Sequence, residues 1–437
     1  MNLTTRILPF VLTGILLLSA RVYARPTTVS GNQGDSSVHQ HIRQQADQIF
    51  DSLVAIRRDL HRHPEVAGDE KQTSEKIAAY LTRLGLEVKT GIGGYGVVGI
   101  LQGTDGGRAI AWRADIDALA SDFPDAVDFA SETEGVRHIC GHDVHTTVAL
   151  GIANVLASQK DSLQGTVYFI FQPSEENIKG AKAMIDDGLF DLITPDETYA
   201  LHMSPFPAGT IATKANQLYA DYKRIVVTLK EGDNNGEAVS FVKDRVNALE
   251  NIENPEAFND RMTMGHPEMG ISSANSIYKD YVMIQSNIQV KETDGKMTVT
   301  AYMNSSNPDQ LSRAQEQLRQ QLETSEYKDR IVSVDYSQLT YTIQNDPRLV
   351  EEALGSITSV YGQQAVAPLH GVVVGSSDDF ALFQEQVPGV YFFLGGSDYP
   401  TGVISMPHAP NFNVDESSIK TGVQYFSSMI VERLMDE

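Results

Sequence analysis

Five short apolar runs, at residues 97–101, 109–112, 167–171, 198–201 and 390–394, restrict the fold more than any other feature of the chain. Each has the length of a strand buried on both faces, and stretches of helical period, such as 148–156 and 181–185, lie between them. Strands alternating with helices predict an α/β fold, a central sheet flanked by helices. A helical period also precedes the first run, with Ile49, Leu53, Ile56 and Leu60 on one face. It returns at Ile77, Leu81 and Leu84 before Gly85, a helix stop.

The polar residues fall where such a sheet puts its chemistry. Trp112 runs into Arg113-Ala114-Asp115-Ile116-Asp117, Phe171 into Gln172-Pro173-Ser174-Glu175-Glu176, and Leu201 into His202. Open α/β sheets carry their sites beyond the carboxyl ends of strands, so three such exits predict one site. The only cysteine, Cys140, sits in His138-Ile139-Cys140-Gly141-His142-Asp143-Val144-His145. Thiolate, imidazole and carboxylate packed this closely are metal donors. Taken singly, each has a plainer reading. Adjacent glutamates often mark a solvated turn, His202 resembles a core histidine, His408 a loop cap, and Cys140 a small buried apolar residue.

Other regions set the surroundings. Arg6 precedes an apolar stretch at 7–18, and Val22-Tyr23-Ala24 closes it, so residues 1–24 are expected to be a signal peptide and the product periplasmic or secreted. That stretch is too short to span a bilayer, and no later segment is apolar enough to cross one. Residues 25–44, polar and rich in Ser, Gly and Gln, are expected to form a flexible leader. What remains is longer than one hydrophobic core usually serves. A catalytic domain at 45–215 and 336–437 is expected, interrupted by an α+β satellite at 216–335, where strand-like stretches accompany polar helical ones. A formal net charge of −23 argues against nucleic acid and anionic lipid as partners, because both favour basic patches.

Six segments carry a resemblance. Leu60-His61-Arg62-His63-Pro64-Glu65, Arg113-Ala114-Asp115-Ile116-Asp117-Ala118-Leu119, Cys140-Gly141-His142-Asp143-Val144-His145-Thr146, Phe171-Gln172-Pro173-Ser174-Glu175-Glu176, Ala181-Lys182-Ala183-Met184-Ile185 and Ser377-Asp378-Asp379-Phe380 stand in the order used by the aminoacylase/carboxypeptidase metallopeptidases. The chain most resembles the branch with auxin-conjugate amidohydrolases, hippurate hydrolases and N-acetyl-diaminopimelate deacetylases, over residues 45–215 and 365–435. The resemblance implies a metallopeptidase-type catalytic domain and two divalent metal ions held by Cys140, His142, Glu176, His202 and His408. It also implies Glu175 as general base, a small-molecule amide or peptide substrate, and a homodimer formed through the satellite. The donor chemistry suits zinc, manganese or cobalt and does not choose among them.

The remaining assignments stay open at this level. His145, three residues after His142, either replaces it as a ligand or hydrogen-bonds to the site from behind, and the second reading is preferred. Asp115 and Asp117 are expected to orient ligand imidazoles; Arg113 either holds those carboxylates or touches substrate. His61 and His63 are read as structural, and His370 carries no role.

The satellite departs from its relatives. They bear a lid histidine in a His-Ala-Ala-x-Pro segment, whereas residues 229–238 here contain none; His266 is a remote replacement. Where relatives carry a substrate-binding arginine, this chain has Thr300-Ala301-Tyr302-Met303-Asn304. Losing one oxyanion donor costs roughly two to three orders of magnitude in turnover. Two function classes follow: an exported amidohydrolase with an altered substrate, and a metal-loaded binding protein of weak activity.

Overall fold

The computed structural model describes residues 37–435, apart from Ala126 and Pro267. The expected signal segment at 1–24 lies outside these residues, as does the leader up to residue 36. Residues 37–44, expected in the leader, instead begin the helix Ser37–Arg62. His39 and Ile42 are buried in it, and His39 Nε2 meets Glu432 Oε1 of the helix Ser417–Met435 at 2.8 Å. The stretch is too polar to announce itself; its few buried groups are spaced to meet a partner helix.

The main sheet has seven strands in the order Glu87–Ile92, Gly96–Gln102, Gln164–Gln172, Thr104–Asp115, Glu197–Pro207, Gly389–Ser397 and Ile211–Ala212. The central pairings, from Gln164–Gln172 across to Gly389–Ser397, are parallel and the outer ones antiparallel. Register places Asp115 opposite Gln172 and His202 opposite Phe393, so the ionisable residues leave the sheet on one side.

Both faces are covered, as continuous apolar strands require. On one, Trp112, Phe169 and Phe392 pack with the helices Ser37–Arg62, Lys71–Arg83, His142–Ala157, Pro347–Tyr361 and Ser417–Met435. On the other, Met184, Phe380, Phe383 and Tyr391 form a second core with Phe258, Ile271, Tyr278 and Tyr281.

A second sheet, of five strands, joins Val282–Ile284, Lys296–Ser305, Asp221–Lys230 and Ile331–Gln338, with Gln289–Thr293 also pairing Lys296–Ser305. The helices Asn235–Asn247 and Pro308–Glu323 cover one face of it through Val242, Val246, Leu318 and Leu322. This satellite is narrower at its start than the sequence suggests and longer at its end. Asn216 and Gln217 pair with Asn345 and Gln344 beside the main sheet, so the satellite begins at about Asp221, and its last strand runs through Gln338 rather than stopping at 335. Residues around 258–281, expected in the satellite, pack on the main sheet through the aromatic residues named above. Among the described residues no helix is long and apolar enough to cross a membrane.

Candidate metal centre

Strand ends and one helix start converge to build the site. The strand Thr104–Asp115 delivers Asp115 and then Asp117, Gln164–Gln172 delivers the turn with Glu175 and Glu176, and Glu197–Pro207 delivers His202. Cys140 and His142 flank Gly141, whose φ of 98° starts the helix His142–Ala157. A Cβ there would come within 2.7 Å of Met203 Cγ, so only glycine lets both neighbours face the same point. His408 arrives from the loop before the last helix with φ 59°, its backbone N–H donating to Ile139 O at 2.8 Å.

Two donor sets share one atom. Cys140 Sγ lies 3.2 Å from His202 Nε2 and 3.2 Å from His408 Nε2. Cys140, His142 and His202 group on one side, and Cys140, Glu176 and His408 on the other. Glu176 Oε1 is 3.3 Å from His408 Nε2 and 3.7 Å from His142 Nε2. Yet neither Glu176 Oε1 nor His142 Nε2, both buried, has a hydrogen-bond partner aligned with it. Donors about 2.0–2.3 Å from a tetrahedral ion lie about 3.5 Å from one another. The spacings match that geometry, and the orphaned atoms are those an ion would satisfy, so these residues fit divalent metal.

The supporting shell fixes which ring atoms remain available. His142 Nδ1 donates to Asp117 Oδ1 at 3.2 Å, and His202 Nδ1 to Met203 O at 2.7 Å, which leaves both Nε2 atoms facing inward. His145 donates from Nδ1 to Asp115 Oδ1 at 2.6 Å and accepts the Met203 N–H at Nε2, 2.8 Å. Both its nitrogens are spent, so His145 braces the strand that bears His202. Arg113 is fully buried and divides its donors among Gln172, Asp115, Asp378 and Asp379, at 2.6–3.3 Å. It holds carboxylates and has no arm left for substrate. Asp378 also accepts from the Tyr391 hydroxyl at 2.5 Å.

Glu175, 5% exposed, lies against the ligands, its Oε2 3.8 Å from His142 Nε2, and groups with His142 and Glu176 but with neither donor set that includes Cys140. Burial, followed by Asp378 and Glu176, holds its carboxyl well above the usual range. Burial and Asp378 likewise raise Asp379 to about 7, against the pull of Arg113. Neither Asp378 nor Asp379 was singled out individually in the sequence, though both lie in a segment that carries the resemblance. Away from the centre, His61 bridges Asp143 and Asp125, at 2.9 and 3.0 Å, and His63 lies beside Asp59. His266 is exposed and accepts from Glu268 N, and His370 is exposed on a loop; neither joins the donor groups.

Charge in the metal-free site sets a pH dependence. Burial, then Glu176 and Glu175, push the Cys140 thiol up; burial opposes charge on His142, but Asp115 and Asp117 raise it to about 10. Burial and His145 lower His202 to about 3. At neutral pH the first two carry protons that coordination must displace, while His202 is already neutral. Metal binding is therefore expected to release protons and to weaken as pH falls from 8 to 6. Calorimetry in buffers of different ionisation enthalpy measures this, and binding without proton release would contradict it.

Strand ends that bring two overlapping donor sets to one thiol, with a carboxyl left free beside them, belong to the metallohydrolases. Within that class the chain belongs to peptidase family M20/M25/M40, whose pattern matches residues 111–432, and it is a hydrolase of carbon–nitrogen bonds. It is 30% identical over 411 residues to thermostable carboxypeptidase 2 of Saccharolobus solfataricus, covering 88% of this chain and 95% of that one. It is 28% identical over 388 residues to the N-acetyldiaminopimelate deacetylase of a Geobacillus species, covering 86% and 97%. Among solved structures it resembles the YXEP protein of Bacillus subtilis, described as a dinuclear metal binding peptidase. The TM-score is 0.69 at 25% identity, over 89% of this chain and 99% of that one.

Proposed function

We propose that this chain is an exported hydrolase that cleaves the amide bond of an N-acyl amino acid-like or small peptide-like substrate at a centre of two divalent ions. The observation that carries the reading is the pairing of a shared thiol between two donor sets with a buried carboxyl, Glu175, that none of the ligands consumes. Cys140, His142, Glu176, His202 and His408 would hold the ions. Zinc, manganese or cobalt, when bound there, supplies Lewis-acid activation of water and of the amide carbonyl. The charge of the bound ions would bring the Glu175 carboxyl back down, so that as a carboxylate it takes the proton of the attacking water and passes it to the leaving amine. Asp117 and Asp115 keep His142 and His145 oriented, and Arg113 keeps the surrounding carboxylates in place.

The satellite supports a substrate unlike that of relatives with a lid histidine. The turn after the strand Asp221–Lys230 is pinned by Arg330, which donates to Asp233 O and Asn235 Oδ1. Tyr302 packs beside Tyr222 with ring centres 6.1 Å apart. Neither feature supplies a cation for a substrate carboxylate. Pairing of two copies through the edge strand Ile331–Gln338, where Val332 is 44% exposed, belongs to the same reading and is checked by sedimentation. Export through residues 1–24 rests on their charged and apolar pattern, and cell fractionation decides it.

The test is amine release from a panel of N-acyl amino acids, dipeptides and simple amides by protein loaded with zinc, manganese or cobalt. Metal-dependent turnover is expected. Two bound ions without turnover of any substrate would sink the hydrolase reading and favour a binding protein.

A further inference from the structure

We propose that Glu70 is a positioning residue of this site, holding the turn that bears Glu175 and Glu176 through the backbone N–H of Ser174. The inference rests on the reading of Glu176 as a ligand and Glu175 as the proton carrier.

Glu70 stands immediately before the helix Lys71–Arg83, where a carboxylate would ordinarily cap the first free N–H groups. Here another residue does that work. Glu65 accepts the N–H of Gln72 at 3.0 Å, the N–H of Thr73 at 2.8 Å and the Thr73 hydroxyl at 2.9 Å. Glu70 makes no side-chain cap and is completely buried. A carboxylate withdrawn from water needs compensating partners, and of those it finds one is local and the other lies across the fold. Its Oε1 accepts from Gly68 N at 2.9 Å and from Ser174 N at 2.7 Å, with the Ser174 hydroxyl at 3.4 Å.

Ser174 is where the turn most needs holding. It has φ 57°, the left-handed region that residues with a Cβ rarely occupy, and it directly precedes Glu175. Its carbonyl accepts from Lys179 N and Gly180 N, so the same residue closes the loop on its other side. Two residues on, Glu176 N donates to Asp117 Oδ2 at 3.0 Å. The Glu175 backbone is thus bracketed by two carboxylates, Glu70 before it and Asp117 after it. Asp117 also orients His142, whereas Glu70 hydrogen-bonds to no ligand side chain and reaches the site through the turn.

Three substitutions test the assignment. Glu70→Gln keeps an oxygen acceptor for Ser174 N. Glu70→Asp keeps the charge but withdraws the carboxylate by one methylene, and Glu70→Ala removes it. Metal affinity, the visible spectrum of the cobalt-loaded protein, kcat and KM are measured for each. Gln is expected to behave as wild type. Asp and Ala are expected to weaken one of the two ions by about 10–100-fold and alter the cobalt spectrum, because Glu176 moves. They are also expected to lower kcat by about 100-fold at saturating metal with KM little changed.

A purely structural role would lower the melting temperature and leave those readings alone. Wild-type affinities, spectra and kcat in Asp and Ala would overturn the proposal, as would a Gln variant as impaired as Ala. If Ala does not fold, Asp carries the comparison. If wild-type protein hydrolyses no amide, the hydrolase reading fails, while affinity and cobalt spectra still decide the role of Glu70.

Discussion

Cys140→Ala is expected to strip the protein of both metal ions, not of one. The thiol is the single atom common to the two donor groups, 3.2 Å from an imidazole nitrogen on each side. Without it His142 and His202 remain on one side and Glu176 and His408 on the other. Two donors hold a divalent ion poorly where three or four are usual. Loss of a residue that merely orients a ligand costs about 10–100-fold in metal affinity, so loss of a shared ligand should exceed 100-fold for each ion. Metal analysis after dialysis is expected to fall from about two ions per chain to a small fraction of one, with activity lost in parallel.

The substitution removes one buried sulfur from a site 6% exposed, so the metal-free protein should still fold. His145→Ala provides the contrast, because its two nitrogens are spent on Asp115 and Met203. That variant should weaken binding without abolishing it. Retention of one ion at wild-type affinity in Cys140→Ala would show that the thiol serves a single site.

What the sequence reveals and what it conceals divides along physical lines. Parallel strands buried on both faces read as unbroken apolar runs, and their ends read as abrupt changes to ionisable residues. Asp115, Glu175, Glu176 and His202 were therefore visible as a group, and the structure brings them together with Cys140, His142 and His408. Cys140 was visible from the histidines and carboxylate packed around it, whereas His408 needed the resemblance, since it follows no strand. Arg113 could not be assigned from its position, because only the fold delivers Asp378 and Asp379 to it from more than 260 residues away.

Other features left no trace. Glu70 lies in Gly68-Asp69-Glu70-Lys71, which reads as a solvated turn; its partner is a backbone N–H 104 residues further on. The segment with Phe258, Ile271, Tyr278 and Tyr281 has no regular period, so its packing on the main sheet was invisible to pattern. At Ser37 a polar helix start was hidden for the opposite reason, because burial there depends on a helix at the far end of the chain.

Glu175→Gln is expected to keep both ions and lose the reaction. The side chains are nearly the same size, and Glu175 is not needed to complete either donor set that Cys140 shares. An amide, however, cannot take the proton of the attacking water or return it to the leaving amine. General acid–base groups contribute about 10²–10⁴-fold, so kcat should fall by that factor with metal content unchanged.

The electrostatics add a second, independent sign. Glu175, Asp378 and Asp379 offer oxygens within 4.8 Å of one another, and burial with that crowding is what raises the carboxyl of Glu175. At neutral pH a carboxyl held this far above its usual range must take up a proton on folding that the unfolded chain does not carry, and Gln removes that cost. The Gln variant should therefore melt at or above the wild-type temperature at neutral pH while being nearly inactive. Lost activity with preserved metal and undiminished stability separates a catalytic proton carrier from a structural carboxylate, whose loss would lower all three. Turnover at the wild-type rate would remove Glu175 from the proton transfer.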